Sequence, residues 1–200
     1  QLGSCGNHRN WTVNTDFAQA EVDEQQVNLT RFPLFFPEKR DFFLENAGQF
    51  GVRTAGGNRL ADLFFSRSIG LRAGQPIPIT AGARLTGKVS RHNVALMTIQ
   101  TGEALGQPGE NFFVARYSRD VLRRSKVGGL IINKEATSDP HFNRTFAADT
   151  TLAVTRNFTI NSFLAKTSTP GLSGGDLAFH GRGGWLDRRW NVFAEYTDLQ

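Results

Sequence analysis

Ile79-Thr80-Ala81-Gly82-Ala83-Arg84-Leu85-Thr86-Gly87-Lys88-Val89 (residues 79–89, ITAGARLTGKV) alternates in character from one residue to the next. Ala81, Ala83, Leu85 and Val89 fall on one face, and Thr80, Gly82, Arg84, Thr86 and Lys88 on the other. A period of two is the signature of a strand, whose successive side chains point to opposite faces. The pattern returns at 144–154, where Phe146, Ala148, Leu152 and Val154 oppose Thr145, Asp149 and Thr151. It returns at 175–185, with Leu177, Phe179 and Trp185 against Asp176, His180 and Arg182, and at 190–199, with Trp190, Val192, Ala194 and Tyr196 against Asn191, Glu195 and Thr197. Segments 93–102, 111–122, 127–137 and 157–168 are strand-like but less cleanly two-faced, as the neighbours Phe163 and Leu164 illustrate. With 62–69 (DLFFSRSI) the count reaches nine candidate strands.

The connections have a rhythm of their own. Short arginine-bearing turns at Ser90-Arg91-His92, Arg123-Arg124-Ser125-Lys126, Thr155-Arg156 and Asp187-Arg188-Arg189 alternate with longer loops at about 103–110, 138–143 and 169–174. Outer-membrane barrels alternate short periplasmic turns with longer outward loops in this way. A soluble antiparallel sandwich also alternates. Against it stand strands approaching the length a tilted membrane strand needs, charges in mid-strand at Arg84, Asp149 and Arg182, and aromatics towards strand ends at Phe112, Phe113, Phe146, Phe158, Trp185, Trp190 and Tyr196. The expected fold is all-β: an antiparallel meander forming part of a transmembrane outer-membrane β-barrel, at residues 62–200, with an irregular N-terminal segment at 1–61 that folds inward or packs on the rim.

Composition sets the outer limits. The chain has 200 residues, a formal net charge of +5, a sequence pI near 9.9 and a mean hydropathy of -0.34. Its basic residues are spread through turns and strands, even in the dense stretch Arg116 to Lys126 (RYSRDVLRRSK), so a solvated rim is the preferred reading and a nucleic-acid partner is not expected. Cys5 is the single cysteine and cannot form an intramolecular disulfide. No run of eighteen apolar residues suggests a membrane helix. The chain opens on Gln1 without a visible signal peptide and stops at Asp198-Leu199-Gln200 inside a strand pattern, and is read as a fragment whose parent supplies the missing strands.

In the N-terminal segment, Thr12 to Phe17 has strand character and Val27 to Phe32 is a short helical or extended piece. Pro37 starts a turn of helix carrying Glu38 to Glu45, and a Gly-rich loop runs from Gly51 to Asn58.

One stretch goes beyond pattern. Residues 13–50 (VNTDFAQAEVDEQQVNLTRFPLFFPEKRDFFLENAGQF) are followed by LFFSRSIG at 63–70, PIPITAGARLTGK at 76–88, VARYSRDVLRRSKVG at 114–128 and FLAKTSTPGL at 163–172. This wording resembles the bacterial family named domain of unknown function 5916. The resemblance implies a barrel that typically follows a family-9-like carbohydrate-binding module, an outer-membrane location in a Gram-negative bacterium and a link to glycans; it supplies no catalytic residues. Residues 1–11 depart from the family's wording, where a strand leading into Val13 is expected.

Candidate chemistry is sparse. The carboxylates Asp16, Glu21, Asp23, Glu24, Glu38, Asp41 and Glu45 are dense enough to contain a general acid/base pair, with Glu38 and Asp41 as weak catalytic candidates. The preferred reading is that Glu38, Lys39, Arg40 and Asp41 form ion pairs pinning an inward-folded segment, because confined charges must be paired. His8, His92, His141 and His180 are scattered singly without metal-ligand spacing, Ser173 in GLSGG does not fit the GxSxG elbow, and Gly56-Gly57 lacks the lysine of a phosphate loop. Phe32, Phe35, Phe36, Phe42 and Phe43 are read as packing against the barrel wall rather than as sugar platforms. No cofactor and no metal are expected.

The expected lumen-facing set is Arg84, Lys88, Arg116, Asp149, Asp176, His180, Arg182 and Glu195, whose cationic excess suits small anionic or polyhydroxyl solutes. The leading functional expectation is solute or glycan handling at the envelope, with outer-membrane lipid as partner. The alternatives are an envelope-associated carbohydrate-active hydrolase using the N-terminal carboxylates, and a soluble all-β binding module.

Overall fold

The structure, a computed structural model, describes residues 8–15, 38, 40–52, 63–72, 75–104, 106–138, 141–172 and 174–200. The expected piece at 27–32, most of the Gly-rich loop and residues Cys5, Asp16, Glu21, Asp23, Glu24, Phe32, Phe35, Phe36, Pro37, Lys39 and Ser173 lie outside them. The elements are β1 (His8–Thr15), α1 (Asp41–Leu44), two 3-10 turns (Ala47–Gln49 and Ser66–Ser68), the two-residue strands β2 (Leu71–Arg72) and β3 (Gln75–Pro76), then β4 (Ile79–Val89), β5 (His92–Thr101), β6 (Glu110–Leu122), β7 (Ser125–Ala136), β8 (Phe142–Ala153), β9 (Phe158–Ser168), β10 (Leu177–Leu186) and β11 (Asn191–Leu199).

Strands β4 to β11 form one antiparallel meander in chain order, and β1 adds to the outer edge of β4, giving a nine-stranded sheet in the order β1-β4-β5-β6-β7-β8-β9-β10-β11. Eight of its strands are those expected from the sequence. The ninth is not. Residues 63–69, the described part of that run, hold a 3-10 turn instead of a strand, because Arg40 takes the carbonyls of Ser66 (2.9 Å) and Ile69 (2.6 Å) and Ser68 Oγ donates to Phe65 O (2.7 Å). The edge strand comes instead from His8–Thr15, inside the segment expected to be irregular and four residues ahead of the expected Thr12 start. It supplies the strand leading into Val13 that the resemblance requires.

Among the described residues the sheet is open, with β1 and β11 as its edges. No helix among them is long and apolar enough to cross a membrane, which says nothing of strands. Turns 90–91, 123–124, 154–157 and 187–190 stand at one end of the meander and the longer connections 102–109, 137–141 and 169–176 at the other. Ser90 closes its two-residue turn in the left-handed region, φ 55°. Strands β4 to β11 run from 9 to 13 residues, beyond the usual five or six.

The two faces of the sheet are unlike. The described part of the N-terminal segment packs on one of them, the covered face. There Phe43, Phe50 and Ile69 meet Ile79, Ala95, Met97, Ile99, Phe112, Val114, Leu130, Ala147, Phe163 and Ala165. Full burial of a Met, Ile, Leu or Val side chain contributes about 1.5–3 kcal/mol, so this is the chief cohesion between segment and sheet. A bulge between Ile79 and Ala81 turns Ile79 towards that core, although its odd number would place it with Ala81. The opposite, open face presents Leu85, Val94, Phe113, Tyr117, Ile131, Phe146, Leu164, Phe179, Trp185, Val192 and Tyr196, each between 37 and 63 % exposed. Phe112 turns inward, correcting its assignment to an aromatic girdle. The register sets it beside Lys134, whose Nζ lies 5.4 Å from its ring, on the same side as Val114. Phe146 and Tyr196 do face outward, but from within their strands rather than from the ends.

Candidate functional site

The covered face carries buried charge as well as core. Arg84, on β4, has a side chain only 2 % exposed and reaches the C-terminal end of α1. Its Nη1 donates to the carbonyls of Phe42 and Glu45, and its Nη2 to Glu45 Oε2 at 2.7 Å. Helix ends leave carbonyls without intrahelical donors. One arginine here satisfies two of them and carries the ion pair, fastening the inward segment to the wall.

A second clamp holds the same segment from its other end. Glu38 accepts Arg40 Nε and Nη2 at 2.8 Å each and Ser66 Oγ at 2.7 Å, while the Arg40 guanidinium lies 4.2 Å from the centre of the Phe43 ring. Burial pushes the Glu38 carboxyl upward, but the hydrogen bonds from Arg40 and Ser66 and the Arg40 charge outweigh it and hold the group below its usual value. A glycosidase acid needs the opposite shift. Asp41 sits exposed in the first turn of α1. Glu38 is thus a paired carboxylate that joins Arg40 and Ser66.

Arg116 on β6 and Asp149 on β8 pair across the intervening strand. Nη2 lies 2.8 Å from Oδ2 and Nη1 bonds Oδ1, with the side chains 6 and 11 % exposed. Gly128 of β7 makes this reach possible. A Cβ there would stand 2.8 Å from Nη1 and 2.9 Å from Nη2 of Arg116. Lys88 and Lys126 share Asp120, at 2.9 and 3.8 Å. On β10 and β11, Arg182 approaches Glu195 at 3.4 Å and stacks over Phe193 at 4.1 Å. His180 is fully buried, with Nδ1 3.0 Å from Thr197 Oγ1 and its ring stacked on Phe163.

Seven of the eight residues expected to share an inner surface therefore do share the covered face: Arg84, Lys88, Arg116, Asp149, His180, Arg182 and Glu195. Asp176 stands apart. It precedes β10 and pairs at 3.5 Å with Lys166, opposite Leu177 on the open side. Sequence reasoning passed over Gly128, Asp120, Lys126 and the carbonyl-binding role of Arg84; only the Gly128-Gly129 doublet inside a strand hinted at a close approach.

Between the inward segment and the sheet lies a cavity of about 410 Å³. Asn46, Gln49, Lys88, Asn93, Arg116 and Lys126 are among its lining residues. Two lysines over one carboxylate leave it a positive surplus. Among the described residues no group of three or more His, Cys, Asp or Glu gathers as a metal site.

No curated protein and no solved structure matches the chain. Over residues 10–98 it matches the family model described as Domain of unknown function (DUF5916), the family that the wording of 13–50 resembles.

Proposed function

We propose that the sheet is part of the wall of an outer-membrane β-barrel, with its open face against lipid and residues 38–52 packed inside, and that the protein handles a small solute or glycan at the envelope of a Gram-negative bacterium. One observation carries this reading. Burial is inverted relative to a soluble sheet: Arg84, Arg116 and His180 are covered while Phe113, Tyr117, Ile131, Phe146, Leu164 and Trp185 are exposed. In water that arrangement is costly on both faces. In a bilayer it is the favoured one, because lipid takes the apolar face and a polar interior takes the charges. Strands of 9 to 13 residues are long enough to cross when tilted.

The open edges β1 and β11 need further strands, since an unpaired edge cannot face hydrocarbon; we assign these to the parent chain. The cavity, with its positive surplus and its amides, suits a small anionic or polyhydroxyl solute. Nothing in the arrangement of Glu38 and Asp41 favours hydrolysis.

The test is made on the full-length parent protein. Extraction with detergent, a gel mobility that shifts on boiling and stable insertion into vesicles are the expected results; a protein that remains monomeric in detergent-free buffer, without the shift, would sink the barrel reading. Conductance in a planar bilayer then reads the interior. Wild type is expected to be silent or nearly so, because the clamps hold the segment in place.

A further inference from the structure

We propose that the short-turn end of the sheet is a binding rim for anionic phospholipid headgroups, which seats the wall in the adjoining leaflet; the inference rests on the barrel reading above. Alternate turns of an antiparallel meander fall at one end, so Arg91, Arg123, Arg124, Arg156, Arg188 and Arg189 stand in a single row. Successive turns are two strands, or about 10 Å, apart, and the row runs roughly 30 Å. All six arginines are exposed. Arg124 Nη1 donates to Arg156 O at 3.1 Å and so joins two neighbouring turns, while Asp187 accepts the backbone N–H of Arg188 at 2.7 Å. At the opposite end Glu110, Glu135 and Asp176 pair with Lys134, Arg144 and Lys166, so charge there is nearly balanced among the described residues.

A second feature turns a basic rim into a lipid-specific one. Val89, Leu122, Val154 and Trp190 flank these same turns and are 58 to 67 % exposed. Guanidinium groups lying just beyond a band of apolar side chains match the order of a leaflet, phosphate outside and acyl chain within. Arginine is suited to the outer layer because its fork pairs with phosphate oxygens two at a time. A nucleic-acid partner would call for aromatic platforms between the cations; here the intervening side chains are mostly aliphatic.

Tryptophan fluorescence of the full-length protein, inserted in phosphatidylcholine vesicles, tests this directly, because Trp185 and Trp190 lie beside the rim. Brominated phosphatidylglycerol and brominated phosphatidylcholine are compared as quenchers at equal mole fraction. The expected result is a relative binding constant favouring phosphatidylglycerol by about fivefold or more, the factor one arginine supplies at an anionic surface. That preference should fall to unity when all six arginines become glutamine, persist when they become lysine, and shrink at high salt. Equal quenching by the two lipids in an inserted wild-type protein overturns the headgroup rim and leaves the barrel intact. Quenching by neither lipid overturns the barrel and the rim with it.

Discussion

The stretch from β4 to β7 and the pair β10–β11 are written with the same alternation yet live in different surroundings. On β4 to β7 the part of the covered face beneath Phe43 and Phe50 is dry. Met97, Ile99, Val114 and Leu130 are packed under Phe43 and Phe50, and the charges among them, Arg84 and Arg116, are held by short bonds to fixed partners. On β11 residues Asn191 to Ala194 and Tyr196 are exposed whichever way they point, and Arg182 and Glu195, their side chains each about one-fifth exposed, meet at the longer distance of 3.4 Å beside an exposed Phe193. Alternation specifies which residues share a face. What packs on that face decides whether a charge there is a clamp or a solvated group.

If that distinction is physical, the pair Arg116–Asp149 should be the costliest to break. Arg116→Ala leaves a carboxylate with 11 % exposure and without its ion-pair partner, and loss of one partner from such a pair costs about 3–5 kcal/mol. Thermal unfolding followed by circular dichroism should show it, and Arg116→Ala with Asp149→Ala should recover part of the loss. Gly128→Ala tests the same pair without changing any charge, since its Cβ would crowd the guanidinium at the end of a flexible side chain, and a loss smaller than that of Arg116→Ala is expected. Should Gly128→Ala match wild type, the pair does not depend on the clearance over β7.

Arg84→Ala comes next. Glu45 is 44 % exposed and would be rescued by water, so the loss is that of charge-assisted hydrogen bonds, about 1.5–3 kcal/mol. Its effect should be local. Chymotrypsin should cut at Phe42, Phe43 or Leu44 in the variant while the sheet stays protease-resistant, and the variant should conduct where wild type is silent. An unfolding curve shifted with no new cleavage would mean that Arg84 supports the wall and does not clamp the segment.

This contrast also explains what was legible in the sequence. At 79–89, 144–154, 175–185 and 190–199 the covered positions are mostly polar, so a period of two was visible and the faces followed. On β5 the covered residues Ala95, Met97 and Ile99 are as apolar as outward Val94 and Leu96, because the inward segment makes a core there, and the two-faced signal disappears. The clamp across β7 was hidden for another reason: it needs the register of three strands, and Arg116 and Asp149 are 33 residues apart. Residues 62–69 read as a strand because their apolar run fits one; capture of their carbonyls by Arg40, 26 and 29 residues earlier, redirects them.

The Glu38 clamp should show itself through pH. Its carboxyl is held below the ordinary value of 4.5, so the folded state prefers it ionised. The contribution is therefore complete above about pH 4.5 and is lost as pH falls through the lower folded value. Protease release of the segment should rise in that acid window, and Glu38→Gln should flatten this dependence while raising the release at neutral pH. An unchanged acid profile in Glu38→Gln would place the titrating group elsewhere.

The smallest effect is expected at β10–β11, and it is the one that most sharply separates the two regions. Arg182→Ala removes a cation of the same covered face, again opposite a carboxylate, so sequence alone would rank it with Arg116. The surroundings say otherwise: both side chains are about one-fifth exposed, and water can solvate Glu195 once its partner is gone. Pairs that water can reach contribute about 0.2–1 kcal/mol. The variant should therefore unfold within about 1 kcal/mol of wild type and keep its protease pattern. A loss as large as that of Arg116→Ala would mean that further strands close over β11 and make the Arg182 environment as dry as that beneath Phe43 and Phe50. The size of this effect therefore reports on closure at the β11 edge.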